Sequence, residues 1–139
     1  MQFIRIEVLG ILLALAMIGC GGTQQYTAQG QNRAAGADGE IHIERQETGN
    51  FIVETAIEHL LPPERFGDGF VAYAVWFQAP EEQPQRMGHL DYDEGDRFGE
   101  MMATTSLTNF EVIVTGEDSE SATSPSEHIV FRAAVSAPN

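Results

Sequence analysis

The most apolar stretch beyond the N-terminal segment decides the fold: FVAYAVWFQ, residues 70–78. Its aromatic and β-branched side chains are typical of a buried strand. We therefore predict a central strand here. The large ring of Trp76 is expected to fill the middle of a core between two sheets, as the tryptophan of the third strand does in immunoglobulin-like sandwiches.

Six further segments on either side of this strand also have strand character, and several alternate apolar and polar residues. Segments rich in proline, glycine, serine or acidic residues separate them, as expected for turns. The sequence therefore predicts an all-β, antiparallel, immunoglobulin-like β-sandwich of about seven strands over residues 41–139. The predicted strands are 41–44, 51–60, 70–78, 87–92, 100–105, 110–115 and 129–135.

The segment before the sandwich has a different composition. Residues 21–40 read GGTQQYTAQGQNRAAGADGE and hold almost no large apolar side chains. Such a segment buries too little surface to offset the entropy of ordering its chain. We therefore predict that residues 20–40 form a disordered, flexible tether.

The N-terminal segment has the parts of a secretory leader. Arg5 precedes an apolar run over residues 8–18, which is shorter than the roughly 20 residues of a membrane-spanning helix. The only cysteine of the chain, Cys20, follows directly after Met17-Ile18-Gly19. This run resembles the lipobox of bacterial lipoproteins. The resemblance implies a signal peptide over residues 1–19, cleavage before Cys20, and acylation of Cys20 that anchors the chain to a membrane. Two alternatives remain open: a secreted protein with a free thiol, and an uncleaved anchor helix.

The charge of the chain limits its partners. It has 21 acidic residues against 7 arginines and no lysine, a net charge of −14. Nucleic-acid binding is not expected, because it requires a basic surface to neutralise phosphates. An anionic membrane surface would repel the same charges, so membrane contact is expected only through lipid on Cys20.

Residues 70–132 resemble a known domain. Tyr73-Ala74-Val75-Trp76 and Gly88-His89-Leu90 are similar in order and spacing to segments of the extracytoplasmic domain of anti-sigma-K-type factors, and so are residues 110–117, Pro125 and residues 129–131. The resemblance implies a β-sandwich that faces the cell envelope. Those regulators also have a cytoplasmic sigma-binding domain and a spanning helix, which this sequence does not show, so sigma-factor binding is not expected.

The strongest polar cluster of the sequence is HLDYDEGD at residues 89–96. Asp91, Asp93 and Asp96 supply alternating oxygens beside a glycine turn, as a calcium ion prefers. However, Met102 stands where an EF-hand has its bidentate glutamate, so we expect a solvated acidic turn and no metal. The four histidines, which show no metal-ligand spacing, are expected on the surface: His42, His59, His89 and His128.

No motif for nucleophilic catalysis, phosphate binding or a cofactor is found in the sequence. The expected function is that of a lipid-anchored, non-catalytic protein of the cell envelope whose sandwich contacts another envelope protein. In a Gram-negative cell, the outer membrane or the periplasmic face is expected. Two alternatives stay open: an envelope lipoprotein that binds calcium or a small ligand, and an enzyme whose site is not recognised.

Overall fold

The computed structural model describes residues 22–139, so the predicted leader and Cys20 lie outside the described residues. Within this range one helical turn, α1, spans Pro63–Phe66, and a 3-10 turn spans Asn32–Ala34. No helix of residues 22–139 is long and apolar enough to cross a membrane. The strands of this range are β1 (Thr23–Gln29), β2 (Asp38–Arg45), β3 (Phe51–Glu58), β4 (Ala72–Gln78), β5 (Gln85–His89), β6 (Asp91–Asp93), β7 (Phe98–Thr105), β8 (Asn109–Glu117) and β9 (Ile129–Ser136).

The strands form two antiparallel sheets. Sheet A has the order β1-β2-β3-β7-β6, and sheet B has the order β5-β4-β8-β9. Without β1, sheet A has the order of strands A, B, E and D of an immunoglobulin-like sandwich, and sheet B is its C-F-G sheet extended by one strand. The predicted fold class is therefore confirmed, with β1 as an additional edge strand.

The main core lies between the sheets. On β4 its side chains are Tyr73, Val75 and Phe77, which are at most 1 % exposed. The Phe77 and Phe110 rings pack with their centroids 4.8 Å apart. Sheet A contributes alternate residues of β2 and β3, as the period of two along a strand requires: Ile41, Ile43, Phe51, Val53 and Ile57.

Trp76 does not lie in this core, contrary to the prediction. Side chains alternate along β4, so Trp76 points to the outer face of sheet B. There it is fully buried in a second cluster with Ala74 and Ile113. The sequence did not show which face of the sheet Trp76 occupies, because β4 is buried on both sides and therefore shows no alternation of apolar and polar residues.

The predicted tether is wrong for residues 23–40. Residues 23–29 form β1, which pairs with β2 from Thr23↔Glu44 to Gln29↔Asp38. Ala34 and Ala37 are buried at 4 % and 1 % exposure. Backbone pairing along the edge of sheet A, together with small buried side chains, orders this segment. Neither contribution depends on large apolar side chains, so the composition of the segment did not indicate it.

Most strand bounds shift by one to three residues, and one predicted strand is divided between the two sheets. Residues 87–92 do not form one strand, because the chain passes from sheet B to sheet A at the buried Leu90. Strict alternation along residues 129–135 would place Ile129 on the same face as Phe131. The register between β8 and β9 shifts between Val114 and Thr115, so Ile129 packs in the outer cluster beside Trp76. Such a bulge is not visible in the alternation of the sequence.

Candidate functional site

The first described residues are fixed to the fold. The Arg45 amide donates a hydrogen bond to the Gly22 carbonyl at 3.1 Å, and a Cβ on Gly22 would collide with the ring of Pro138. The Tyr26 hydroxyl donates to the Ser136 carbonyl at 2.9 Å and accepts from the Ser136 amide at 3.0 Å. The ordered domain therefore begins within a few residues of the predicted lipidation site at Cys20.

A chain of hydrogen bonds lies on the outer face of sheet B. Trp76 Nε1 donates to Thr115 Oγ1 at 2.9 Å, and the Thr115 hydroxyl donates to Glu117 Oε1 at 3.3 Å. Trp76 and Thr115 are fully buried, and Glu117 is 3 % exposed. Each polar group in this series of hydrogen bonds has a partner, as buried polar groups require.

Residues 118–128 cover this chain, and we call them the flap. The Ser126 amide donates to Glu117 Oε1 at 2.7 Å, and the Ser126 hydroxyl donates to the Gly116 carbonyl at 2.6 Å. The Arg86 guanidinium donates to the carbonyl of Glu120. Within the cluster, Ala122 packs against the buried residues. Glu117 therefore holds the flap closed over Trp76, a role that the acidic composition of the chain did not reveal.

The predicted acidic turn joins β6 to β7. Asp91 lies opposite Glu100, and the Asp93 carboxylate accepts a hydrogen bond from the Asp96 amide at 3.1 Å. Asp91, Asp93 and Asp96 are all exposed. Among residues 22–139, no three His, Cys, Asp or Glu side chains are arranged to hold a metal ion. The geometry is that of a solvated turn in which Asp93 closes the loop on its own backbone.

The histidines lie apart on the surface. His59 Nδ1 is 3.0 Å from Asp38 Oδ2, and His42 Nε2 is 3.4 Å from Glu40 Oε2. The ring of His128 packs edge-on against Phe70, with a centroid distance of 4.8 Å. His89 is exposed at the end of β5. Each of these positions is explained by a local contact or by solvent exposure.

The outer face of β2, β3 and β7 in sheet A, which we call the acidic face, carries six acidic side chains and one histidine, His42. No lysine or arginine points outward from β2, β3 or β7 between its acids. Met102 lies among these acids and is 62 % exposed. The face was not predicted from the sequence, because the acids come together only when β2, β3 and β7 pair. Its acidic side chains are Asp38, Glu40, Glu44, Glu54, Glu58 and Glu100.

An open groove of about 440 Å³ lies where β4 ends and β8 begins. Phe110, Val135 and Pro80 provide its apolar lining, and Glu81 and Glu111 provide charge. Its volume falls in the range of small-molecule sites, which is roughly 300–1,000 Å³. No converging set of hydrogen-bond donors distinguishes the groove from an ordinary surface cleft.

The buried Tyr73 and the partly buried Tyr92 fix the segment before α1. The Tyr73 hydroxyl donates to the Leu61 carbonyl at 2.5 Å, and the Tyr92 hydroxyl donates to the Leu60 carbonyl at 2.6 Å. Burial raises the pKa of Tyr73 well above its usual value, and negative charge on Tyr92 and Glu64 adds to the effect. Burial also raises the pKa of Tyr92. Both phenols therefore act as neutral donors that hold the chain, and a nucleophile would need the opposite shift.

No protein-family model, no curated protein and no solved structure matches this chain. The resemblance of residues 70–132 to the extracytoplasmic domain of anti-sigma-K-type factors, and that of Met17–Cys20 to a lipobox, stay predictions from the sequence. The function of these groups of residues is therefore inferred from their geometry.

Proposed function

We propose that this chain is a lipid-anchored, non-catalytic protein of the cell envelope whose β-sandwich binds another protein. The observation that carries the proposal is the position of the only cysteine. Cys20 ends a leader-like segment and precedes the first strand, Thr23–Gln29, by three residues. A lipid on Cys20 would thus attach the ordered domain to a membrane with almost no chain between them.

The polar interior supports a structural role for the domain. Trp76, Thr115, Glu117 and Ser126 satisfy one another by hydrogen bonds, and the Tyr73 hydroxyl is bonded to a backbone carbonyl. These groups stabilise strands and loops. A catalytic group would instead be aimed at a site that a substrate can reach.

The acidic face is the surface that we propose for the partner. Glu54 lies opposite the exposed Met102 and Glu100 lies two residues before it, so a partner with basic groups beside a small apolar centre would be complementary to this face. The resemblance of residues 70–132 to envelope-facing sandwiches supports the same location.

Metabolic labelling tests the anchor. Bacteria that produce the natural chain and grow with radiolabelled palmitate are expected to incorporate label into it, and the protein should sediment with membranes. Cys20→Ser should lose both properties, because serine cannot form the thioether. Ser106→Cys provides a matched control, since a cysteine elsewhere should not change the labelling. Equal labelling of the natural chain and the Cys20→Ser variant would contradict the anchor.

Site-directed photo-crosslinking in cells tests the partner surface. A photoreactive residue at Met102 should yield an adduct of one defined mass. The same residue at Val71, which is 57 % exposed but lies outside the acidic face, should not yield it. The adduct should disappear when Glu40 and Glu54 are both replaced by glutamine. Identical adducts at both positions would contradict a partner that binds the acidic face.

A further inference from the structure

One end of the sandwich carries Gly22, and we call it the Gly22 end. The register places Thr23 beside Glu44, Arg45 beside Phe51, and Phe51 beside Thr105. In sheet B, Asn109 pairs with Ser136 at the same end, and Gly22 contacts Pro138 across the sheets. The connections at this end are therefore residues 46–50, 79–84 and 106–108, together with the C-terminal residues 137–139.

The chain between the anchor and the fold is short. Cys20 precedes Thr23 by three residues, which span at most about 11 Å even when fully extended. This limit holds for any conformation of the connecting residues. Gly22 is itself bonded to Arg45 and seated against Pro138, so only Gly21 separates Cys20 from the first residue fixed to the fold.

We propose that the Gly22 end lies against the lipid headgroups and that the opposite end points away from the membrane. This inference rests on the proposed lipidation of Cys20. The strands are up to nine residues long, so the opposite end lies roughly 25–30 Å farther from the bilayer. Residues 30–37, 59–71, 94–97 and 118–128 form that opposite end, which includes the flap and the acidic turn.

Electrostatics favours this upright orientation over one in which sheet A lies on the membrane. Lying flat would bring the six carboxylates of the acidic face within one Debye length, about 8 Å, of anionic headgroups. Among these acids only one base, His42, points outward from the same strands, so most of the six carboxylates stay uncompensated. In the upright orientation the acidic face is parallel to the membrane normal, so it stays accessible to a partner.

The orientation can be measured with the full-length lipidated protein in phosphatidylcholine vesicles that contain a lipid with a spin-labelled headgroup. Single cysteines replace the exposed residues Thr48 or Ser106 at the Gly22 end, and Glu94 or Ser124 at the opposite end. A thiol-reactive fluorophore then labels only the introduced cysteine, because the lipid occupies Cys20. Quenching by the spin-labelled lipid should be several-fold stronger at Thr48→Cys and Ser106→Cys than at Glu94→Cys and Ser124→Cys.

A Gly-Ser insertion of about 20 residues between Gly21 and Gly22 provides the matched control. Its r.m.s. span of roughly 25 Å should equalise quenching at the two ends while palmitate incorporation stays unchanged. Equal quenching at both ends of the natural chain, or stronger quenching at Ser124→Cys, would overturn the orientation alone. Failure of the natural chain to incorporate palmitate would overturn the proposed function and this inference with it.

Discussion

Tyr26 on the first strand and Ser136 on the last strand exchange two hydrogen bonds. The Tyr26 hydroxyl donates to the Ser136 carbonyl at 2.9 Å and accepts from its amide at 3.0 Å. One side chain thus satisfies both backbone groups of Ser136 at the free edge of β9. The contact joins sheet A to sheet B beside Gly22, so it holds in place the segment through which the proposed anchor acts.

Tyr26→Phe should loosen this connection. The substitution keeps the ring but removes the partner of two backbone groups, so it should lower the free energy of unfolding by about 1–2 kcal/mol. Hydrogen exchange at the amides of residues 23–29 should become faster, while exchange in β4 and β8 stays the same. Thr27→Ala is the matched control on an exposed position of the same strand, and it should change stability by less than about 0.5 kcal/mol. Equal stability of the Tyr26→Phe and natural proteins would contradict this role.

The predicted fold class was correct because it depends on features that one sequence displays. Alternation along β2, β3 and β8 identified their inner faces, and turn residues separated the strands. The same features could not show that residues 23–29 form an ordered strand, because the stability of β1 comes from pairing with β2 and from the contact between Tyr26 and Ser136. Long-range pairing leaves no local signal in a polar segment.

The face that Trp76 occupies is a second feature that the sequence alone could not predict. A strand buried on both faces carries no alternation, so the face of each side chain depends on what covers the sheet. Here a serine-rich, acidic flap covers the outer face, and its closure depends on Glu117 and Ser126. The composition of the flap predicted only a loop between two strands. The acidic face likewise could not be predicted without knowing that β2, β3 and β7 are neighbours in one sheet.

Glu117→Ala should open the flap. It removes the acceptor of the Ser126 amide and of the Thr115 hydroxyl, so we expect a loss of about 1–3 kcal/mol in the free energy of unfolding. Trp76 is the only tryptophan of the chain, and its emission should shift to the red and become accessible to acrylamide. Glu117→Gln keeps an oxygen acceptor and should retain the blue-shifted emission. Unchanged fluorescence in Glu117→Ala would show that other contacts hold the flap.

Alkaline pH should destabilise the fold through Tyr73. Its pKa is raised in the folded state, so both states keep the proton below the unfolded pKa of about 10 and stability is then unaffected. Above that pH only the unfolded state loses the proton, and the free energy of unfolding falls by up to about 1.4 kcal/mol per pH unit. Urea unfolding between neutral pH and pH 11 should show this slope. It should be shallower in Tyr73→Phe, with Tyr92 supplying the remainder, and an identical slope in both proteins would contradict the assignment.

Calcium should have no specific effect on the acidic turn. Asp91, Asp93 and Asp96 are exposed, so sodium and calcium at equal ionic strength should shift the melting temperature equally by screening. A bound ion would instead stabilise the fold by about 2.7 kcal/mol at a hundredfold excess over its Kd. Thermal unfolding in the two salts distinguishes these cases. A shift specific to calcium that disappears in Asp93→Asn would favour an ion-binding protein over the proposed function.

The most direct test of a lipid-anchored domain is the mass of the N-terminal peptide of the mature protein, purified from bacterial membranes. Proteolysis followed by mass spectrometry should give a first peptide that begins at Cys20 and lacks residues 1–19. Its mass should exceed that of the unmodified peptide by a diacylglycerol on the sulfur and, in many bacteria, by a further acyl group on the amine. A first peptide that begins at any other residue, or an unmodified Cys20, would contradict the lipid anchor and the orientation inferred from it.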